Sequence, residues 1–329
     1  MVTQEDVAKC AGVSTTTVSH VINETRFVSR ELRQRVYQAM EELDYRPNAI
    51  ARSLRRRESG QIGVIVPDIA YPFLAEVARG IEDAGFRLGY NVVFCSSHQD
   101  CDKELACLDL ARTRQVDGIV VLGAGPDSEH IGELIERGTP AVSCNRRFPD
   151  VAIDTVIADN ERAGFQATRQ LLSQGHRRVA CIAGPEEVTI SVPRLEGYRQ
   201  AMEELGVSVP DRLIVRDDFG NRGGFEAMNR LLDLSEPPSA VFACNDLMAM
   251  GAICAASKRR LNVPQDVAII GCDDIAMAAF TNPSLTTVAL PKHELGTLAV
   301  ELLVERIKDG DRPVDEHVLP VRLVMRDSC

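Results

Sequence analysis

No run of 18 apolar residues occurs in this chain, so no segment is built to span a bilayer as a helix. The N-terminus, MVTQEDVAKC, lacks the apolar core of a secretory leader, and a cytoplasmic location is expected. The ten cysteines form no CxxC pair. In a reducing compartment they are small buried apolar residues or free thiols. Cys95, His98, Cys101 and Cys107 do not have the spacing of a structural zinc site, and no metal is assigned. The patterns GxxxxGK[ST], GxSxG and HExxH are all absent, which removes the phosphate loop, the nucleophile elbow and the zinc-protease helix. Gly123-Ala-Gly125 runs into Pro126 without the third glycine of a dinucleotide loop. Asp217-Asp218 and Asp273-Asp274 are carboxylate pairs with no reaction partner in view. No catalytic residue is assigned, and an enzyme is not expected.

What is present is unevenly distributed. At 329 residues the chain exceeds the size that one core usually serves, and two or three domains are expected. The net charge of −11 opposes nucleic-acid binding only if it is spread evenly. Residues 1–60 hold ten Lys/Arg against eight Asp/Glu, while the remainder holds 27 against 40. Arg52, Arg55, Arg56 and Arg57 cluster within this first part. A local basic footprint on an acidic body is compatible with DNA, because phosphates respond to charge within a Debye length of about 10 Å.

The segment VTQEDVAKCAGVSTTTVSHVIN (Val2 to Asn23) reads as a helix-turn-helix. Thr3 and Asp6 form a capping-box start, Gly12 supplies the turn and Ser14 caps the second helix. Val18, Val21 and Ile22 face inward; Thr15, Thr16, Thr17, Ser19 and His20 face outward. Short hydroxyl side chains let a helix sit deep in a major groove, which places Thr15 and Thr16 near base edges and His20 at an edge or phosphate. Solvated helix positions are the plainer alternative. A third helix follows Ser29 with Leu32, Val36, Met40 and Leu43 as core. After Pro47, Asn48 can cap a short helix to about Arg55 whose one apolar residue, Leu54, is flanked by Arg52, Ser53 and Arg55. That pattern suits a wedge between base steps with arginines on the phosphates, although Leu54 could instead pack back on the body.

After Gly60, buried-strand runs alternate with helical patterns, from Ile62–Pro67 through Val267–Ile270. The expectation is an α/β protein: an all-α head followed by a body of parallel sheets with helices on both faces, too many strands for one sheet and therefore two lobes. Ligands in such sheets bind outside the carboxyl ends of strands. The residues there are Phe73, Asn145, Arg146, Phe219, Asn245 and Asp273, with Arg194 at a helix start. Aromatic faces with Asn, Asp and Arg suit a neutral polyol. Each taken singly has a plain alternative as helix cap, core residue or surface ion pair.

The combination DVAKCAGVSTTTVSHVIN…FVS…YRPNAIARSL resembles, and the rest of the chain continues to resemble, the lactose-repressor/galactose-repressor family of bacterial transcription regulators. The resemblance implies a helix-turn-helix domain at 1–46, a hinge helix and linker at 47–60, and a periplasmic-binding-protein-like body at 61–329. The lobes would be about 61–159 with 291–318, and 160–290 with 319–329. It implies Thr15, Thr16 and His20 as recognition contacts, Asn23 as a supporting contact, and Leu54 as a minor-groove lever flanked by Arg52 and Arg55. It assigns Phe73, Asn145, Arg146, Arg194, Phe219, Asn245 and Asp273 to effector binding. PRLEGYRQAM and DDFGNRGGFEAM resemble ribose-responsive members, so the expected effector is a pentose such as ribose. Val188 and Ile190 replace polar residues of purine-responsive members, and Leu290 stands where the family often has Gln. The implied protein is an effector-controlled repressor binding double-stranded operator DNA as a homodimer or larger assembly, with no cofactor and no membrane. A purine-responsive repressor is the alternative; an enzyme fused to a DNA-binding head is a weaker one.

Overall fold

The computed structural model describes residues 2–23, 26–45, 59–98, 100–113, 115–123, 129–186 and 190–329. The chain divides into two compact units, Met1–Ser59 and Gly60–Cys329.

The first unit packs α1 (Gln4–Ala11), α2 (Thr15–Asn23) and α3 (Arg30–Glu42) around Val7, Ala8, Ala11, Val18, Val21, Val36 and Ala39. These side chains are small, so the helices approach closely. Both halves of the capping box are made: Thr3 Oγ1 accepts from the Asp6 amide at 3.3 Å, and the Thr3 amide donates to Asp6 Oδ2 at 2.9 Å. Gly12 ends α1 at φ 62°, a left-handed conformation that glycine adopts without steric cost. Arg35 of α3 donates to the carbonyls of Ala11 at 2.6 Å and Gly12 at 3.2 Å, which pins the turn between the first two helices.

The second unit holds β1 (Gln61–Val66), α4 (Pro72–Leu88), β2 (Asn91–Ser96), α5 (Cys101–Arg112), β3 (Gly118–Leu122), α6 (Glu129–Glu136), β4 (Ala141–Cys144) and β5 (Asp154–Ala158). It continues through α7 (Asn160–Ser173), β6 (Val179–Ala183), α8 (Ser191–Glu204), β7 (Ile214–Arg216), α9 (Asn221–Leu232), β8 (Ala240–Ala243) and α10 (Asp246–Lys258). The last elements are β9 (Ala268–Asp273), β10 (Thr286–Ala289), α11 (Lys292–Lys308), β11 (Glu316–Leu319) and β12 (Arg322–Val324). Two six-stranded sheets result, ordered β11-β5-β4-β3-β1-β2 and β12-β10-β9-β8-β6-β7. Five strands of each follow one plan, β5-β4-β3-β1-β2 and β10-β9-β8-β6-β7, so each sheet has a switch point beside its first strand, between β1 and β3 or between β6 and β8. All pairings are parallel except β10 with β12, which is an antiparallel edge. The chain passes between the sheets after β5, after β10 and after β11.

Alternate residues of β1 serve opposite faces: Ile62, Val64 and Val66 join the large core, while Ile65 joins a second cluster with Leu108, Ile119, Val121, Ile131 and Leu134. Both faces are covered, as parallel sheets require. The body contains elements beyond the alternating runs visible in the sequence. Helices α6 and α11 and strands β10, β11 and β12 are short, polar or directly behind a proline, so their periodicity is weak. The buried Asp154 carboxylate holds Arg306 at 2.9 Å, Arg312 at 2.8 Å and the Asp315 amide at 2.9 Å. Those contacts fasten the loop that delivers β11 to β5.

Helices α7 and α8 touch backbone to backbone. A Cβ on Gly164 would collide with the Arg194 carbonyl, and one on Gly197 with the Glu161 carbonyl. The same reciprocal glycine contact joins α4 to α11 through Gly80 and Gly296, and α9 to α10 through Gly224 and Gly251.

Candidate DNA-reading face and effector cleft

In the head, helix register decides which side chains share a face. Thr16, His20 and Asn23 fall at i, i+4 and i+7 on α2, with Thr15 and Ser19 alongside. Thr15 and Thr16 are exposed; His20 and Asn23 are half-buried. Ser14 Oγ accepts from the Thr17 amide at 3.1 Å and lies 2.9 Å from Thr17 Oγ1, which starts the helix. Asn23 Nδ2 donates to the Ser19 carbonyl at 2.7 Å, so the supporting amide is braced against its own helix. Arg52, Leu54 and Arg55 lie outside the described residues.

In the body, the strand ends bring the remaining candidates to one region between the sheets. On the first sheet, Phe73 opens α4 just after β1, and Asn145 and Arg146 follow β4. Phe73 is nearly buried and belongs to the central core. Asn145 takes φ 58° and donates its amide to the Val156 carbonyl at 2.8 Å. Its neighbour Arg146 stacks over the Phe148 ring with its guanidinium carbon 4.1 Å from the centroid. Across from it stand Ile190 and Pro193 at the start of α8; with Arg146, Asp159 and Asn160 they line a cleft of about 480 Å³, part of which is open solvent. Burial, and then the carboxylates of Asp218 and Asp68, push the Tyr71 phenol above its ordinary value. Asp218 precedes Phe219, so the loop after β1 faces the loop after β7.

On the second sheet, Arg194 is the centre. It is 1% exposed. Its Nε donates to Asn160 Oδ1 at 2.7 Å, its Nη1 donates to the Cys244 carbonyl, and its Nη2 lies 3.0 Å from Asp273 Oδ1. Burial drives the Asp273 carboxyl upward, while Arg194 and Lys292 pull it back. Asn245 caps α10 by accepting from the Met248 amide at 2.8 Å, and its Nδ2 donates to the Phe219 carbonyl at 2.9 Å. Both its cap role and its place beside Phe219 are therefore real. The Phe219 ring covers Gly184, where a Cβ would strike both the ring and Ser191 Oγ. The structure thus joins Arg194 to Asp273 and Phe219 to Asn245, and sets Arg146 opposite the start of α8. Leu290 turns into the hydrophobic core.

Two residues of this region were not singled out from the sequence. Asn160 follows β5 and could have been found by the strand-end rule. Ser191, fully buried, has no local signal; its place depends on the approach of Phe219 to Gly184. Behind the cleft, Asp246 Oδ1 accepts from Thr287 Oγ1 at 2.5 Å and Oδ2 from the Ile275 amide at 2.8 Å. Burial and the neighbouring Asp273 push its carboxyl up to about 8.

Two buried polar atoms here, Asn145 Oδ1 and Ser191 Oγ, have no hydrogen-bond partner, while Arg194 Nη2 and Asp273 Oδ1 pair with each other at 3.0 Å. Leaving such an atom unsatisfied costs about 1–3 kcal/mol. Hydroxyl groups, which both donate and accept, can satisfy both. Among the described residues no three His, Cys, Asp or Glu side chains come together as a metal site. The Cys107 thiol is hydrogen-bonded to Cys95, and burial pushes it up to about 12. No described helix is long and apolar enough to cross a membrane.

Comparison with known proteins agrees with this division. Residues 3–48 match the model of bacterial regulatory proteins of the lacI family, and residues 168–329 match a periplasmic binding protein-like domain. The HTH-type transcriptional repressor PurR of Proteus mirabilis (strain HI4320) is 40% identical over 331 residues, spanning 100% of this chain and 97% of that protein. The ribose operon repressor of Escherichia coli (strain K12) is 41% identical over 319 residues, spanning 93% of each. The lac repressor dimer, solved bound to operator and the anti-inducer ONPF, superposes with a TM-score of 0.89 at 27% identity, covering 99% of this chain and 98% of that one. The chain belongs to the lacI family of bacterial regulatory proteins, with a helix-turn-helix head and a two-lobed periplasmic-binding-protein-like body.

Proposed function

We propose that this DNA-binding transcriptional repressor adjusts its operator affinity in response to a pentose, ribose being the best fit, held between the two lobes. The observation that carries the reading is the set of buried polar groups on Asn145, Ser191, Arg194 and Asp273, of which Asn145 Oδ1 and Ser191 Oγ have no hydrogen-bond partner. They are contributed by both lobes, with Phe219 beside Ser191. A small polyol offers hydroxyls in several directions and an apolar C–H face, which matches both. Ile190 presents an apolar wall where a purine would need polar contacts.

The protein acts on double-stranded operator DNA as a homodimer. Thr15, Thr16 and His20 read the major groove, Asn23 supports them, and Leu54 with Arg52 and Arg55 engages the adjacent minor groove. Large apolar side chains left exposed on both lobes, Phe86 at 85% and Phe280 at 81%, suit contact between copies. The sugar acts by binding one arrangement of the lobes better than the other; without that difference it could shift no equilibrium.

Thermal-shift and operator-binding titrations with D-ribose, other pentoses and purine bases test this reading. At 100 times its dissociation constant a true ligand stabilises the folded body by about 2.7 kcal/mol. Ribose is expected to do so and to change operator affinity. A shift with a purine base and none with any pentose overturns the sugar assignment.

A further inference from the structure

Lys292 is the first residue of α11, immediately after the chain returns from the second sheet to the first. Its side chain is only 9% exposed. The ammonium donates to the Asp273 carbonyl at 2.8 Å and to the Asp274 carbonyl, both at the end of β9 in the second lobe. It also lies 3.4 Å from Glu76 Oε2 on α4 in the first lobe. We propose that Lys292 is the positioning residue that ties Asp273 to the first lobe, so that a ligand engaging Asp273 is registered by α4 and α11. This inference rests on the reading of the cleft as the effector site.

A lysine buried only to satisfy two carbonyls would be a poor choice. Any neutral donor would do that without the desolvation of a charge. Here the charge has a use, because a carboxylate from the opposite lobe faces it. The backbone it grips is unusual as well: Asp273 and Asp274 take φ 114° and 53°, conformations that L residues adopt only when their surroundings impose them. Arg326 holds the Asp274 carboxylate at 2.6 Å from one side, and Arg194 attracts the Asp273 carboxylate from the other. Lys292 alone of these cations also meets an anion of the first lobe. The charged groups around Asp273 therefore form a chain running from Arg194 through Asp273 and Lys292 to Glu76. Moving Asp273 by even part of an ångström changes the geometry of that chain at a crossover between the two sheets.

The test uses the full chain with Lys292→Met, Lys292→Arg and Glu76→Gln. Three quantities are measured for each: operator affinity without ligand, operator affinity at saturating D-ribose, and ribose affinity by calorimetry. Lys292→Met is expected to reduce the ribose-induced change in operator affinity by about tenfold or more, with ligand-free operator affinity held within about threefold. Lys292→Arg restores the response, and Glu76→Gln falls between. A wild-type response in Lys292→Met overturns the proposal, as does a wild-type response in Glu76→Gln if the methionine variant does not fold. A second arm needs no effector. Spin labels on non-natural residues at Glu82 and Arg212, exposed positions on the first and second lobes, report the interlobe distance. Lys292→Met broadens that distribution and Lys292→Arg does not; equal widths refute the tie. If ribose leaves the wild-type operator affinity unchanged, the sugar reading fails while the labelled pair still decides Lys292.

Discussion

The outer face of α2 and the interlobe cleft solve recognition in opposite ways. Thr15 and Thr16 are exposed and their place follows from the helix that carries them. Asn145, Arg194 and Asp273 are buried and come from three distant segments. A groove in DNA brings its own hydrogen-bonding surface to an exposed helix, so that helix needs only register and short side chains. A small polyol must be surrounded, so in the proposed sugar site its partners would be gathered from both lobes and desolvated before it arrives. The difference teaches that a defect in the face should be local, whereas a defect in the cleft should reach stability too.

The sharpest break is Arg194→Met. It leaves Asp273 buried and unpaired, and breaking a buried ion pair costs about 3–5 kcal/mol. The variant is expected to lower body stability by that order and sugar affinity by about a hundredfold, since hydrogen bonds to charged groups contribute about 1.5–3 kcal/mol each. Operator binding by the ligand-free protein should persist in a gel-shift titration. Normal sugar affinity in calorimetry would remove Arg194 from the site.

Gly164→Ala reaches the same cleft from behind. The added methyl meets the Arg194 carbonyl, so α8 must retreat from α7. Overpacking of this kind costs about 1–3 kcal/mol, to be read from denaturant unfolding, and the displaced guanidinium should weaken sugar binding. A variant with wild-type stability and affinity would show that the helices yield freely.

On the head, Thr16→Val keeps the shape and removes a hydroxyl. Operator affinity is expected to fall about tenfold, in line with about 1–3 kcal/mol for one lost base-pair interaction, while sugar affinity and body stability stay unchanged. If operator affinity is unaltered in a fluorescence-anisotropy titration, Thr16 faces solvent in the complex.

The last break concerns pH. Asp246 has its carboxyl raised to about 8 from an ordinary value of 3.8. The native state therefore holds a proton that the unfolded state releases, and stability contributed by this group falls as pH rises across that window. Asp246→Asn cannot ionise. Its stability relative to the natural protein should rise with pH between about 4 and 8. Parallel pH profiles in urea titrations would contradict the protonated state of Asp246.

Much of the cleft was legible because parallel sheets concentrate chemistry at strand ends. Phe219, Asn245 and Asp273 follow runs whose apolar patterns are unmistakable, as in Ala240–Ala243. The rule failed where the strand itself was obscure. β10 is only Thr286–Ala289, and beyond the apolar Leu290 and Pro291 nothing in the sequence marks Lys292. Ser191 could not be found by any pattern, because a serine at a helix start ordinarily acts as a cap. Here helix α8 has no side-chain cap, and Ser191 is enclosed by Phe219 and Gly184. Gly164 and Gly197 carry no mark either; only the meeting of α7 and α8 shows why a side chain is barred.

From sequence alone one can determine the head's helices, their caps and the side chains of α2 that face outward, because helical periodicity and capping act over a few residues. The alternation that makes two parallel sheets is equally local. The tertiary structure decided which strand ends face each other, that Arg194 reaches Asn160, Cys244 and Asp273, and that Lys292 stands between Asp273 and Glu76. Those contacts require the chain to cross between sheets and close long loops, and the free energy of closing them comes from the buried core as a whole rather than from any short motif.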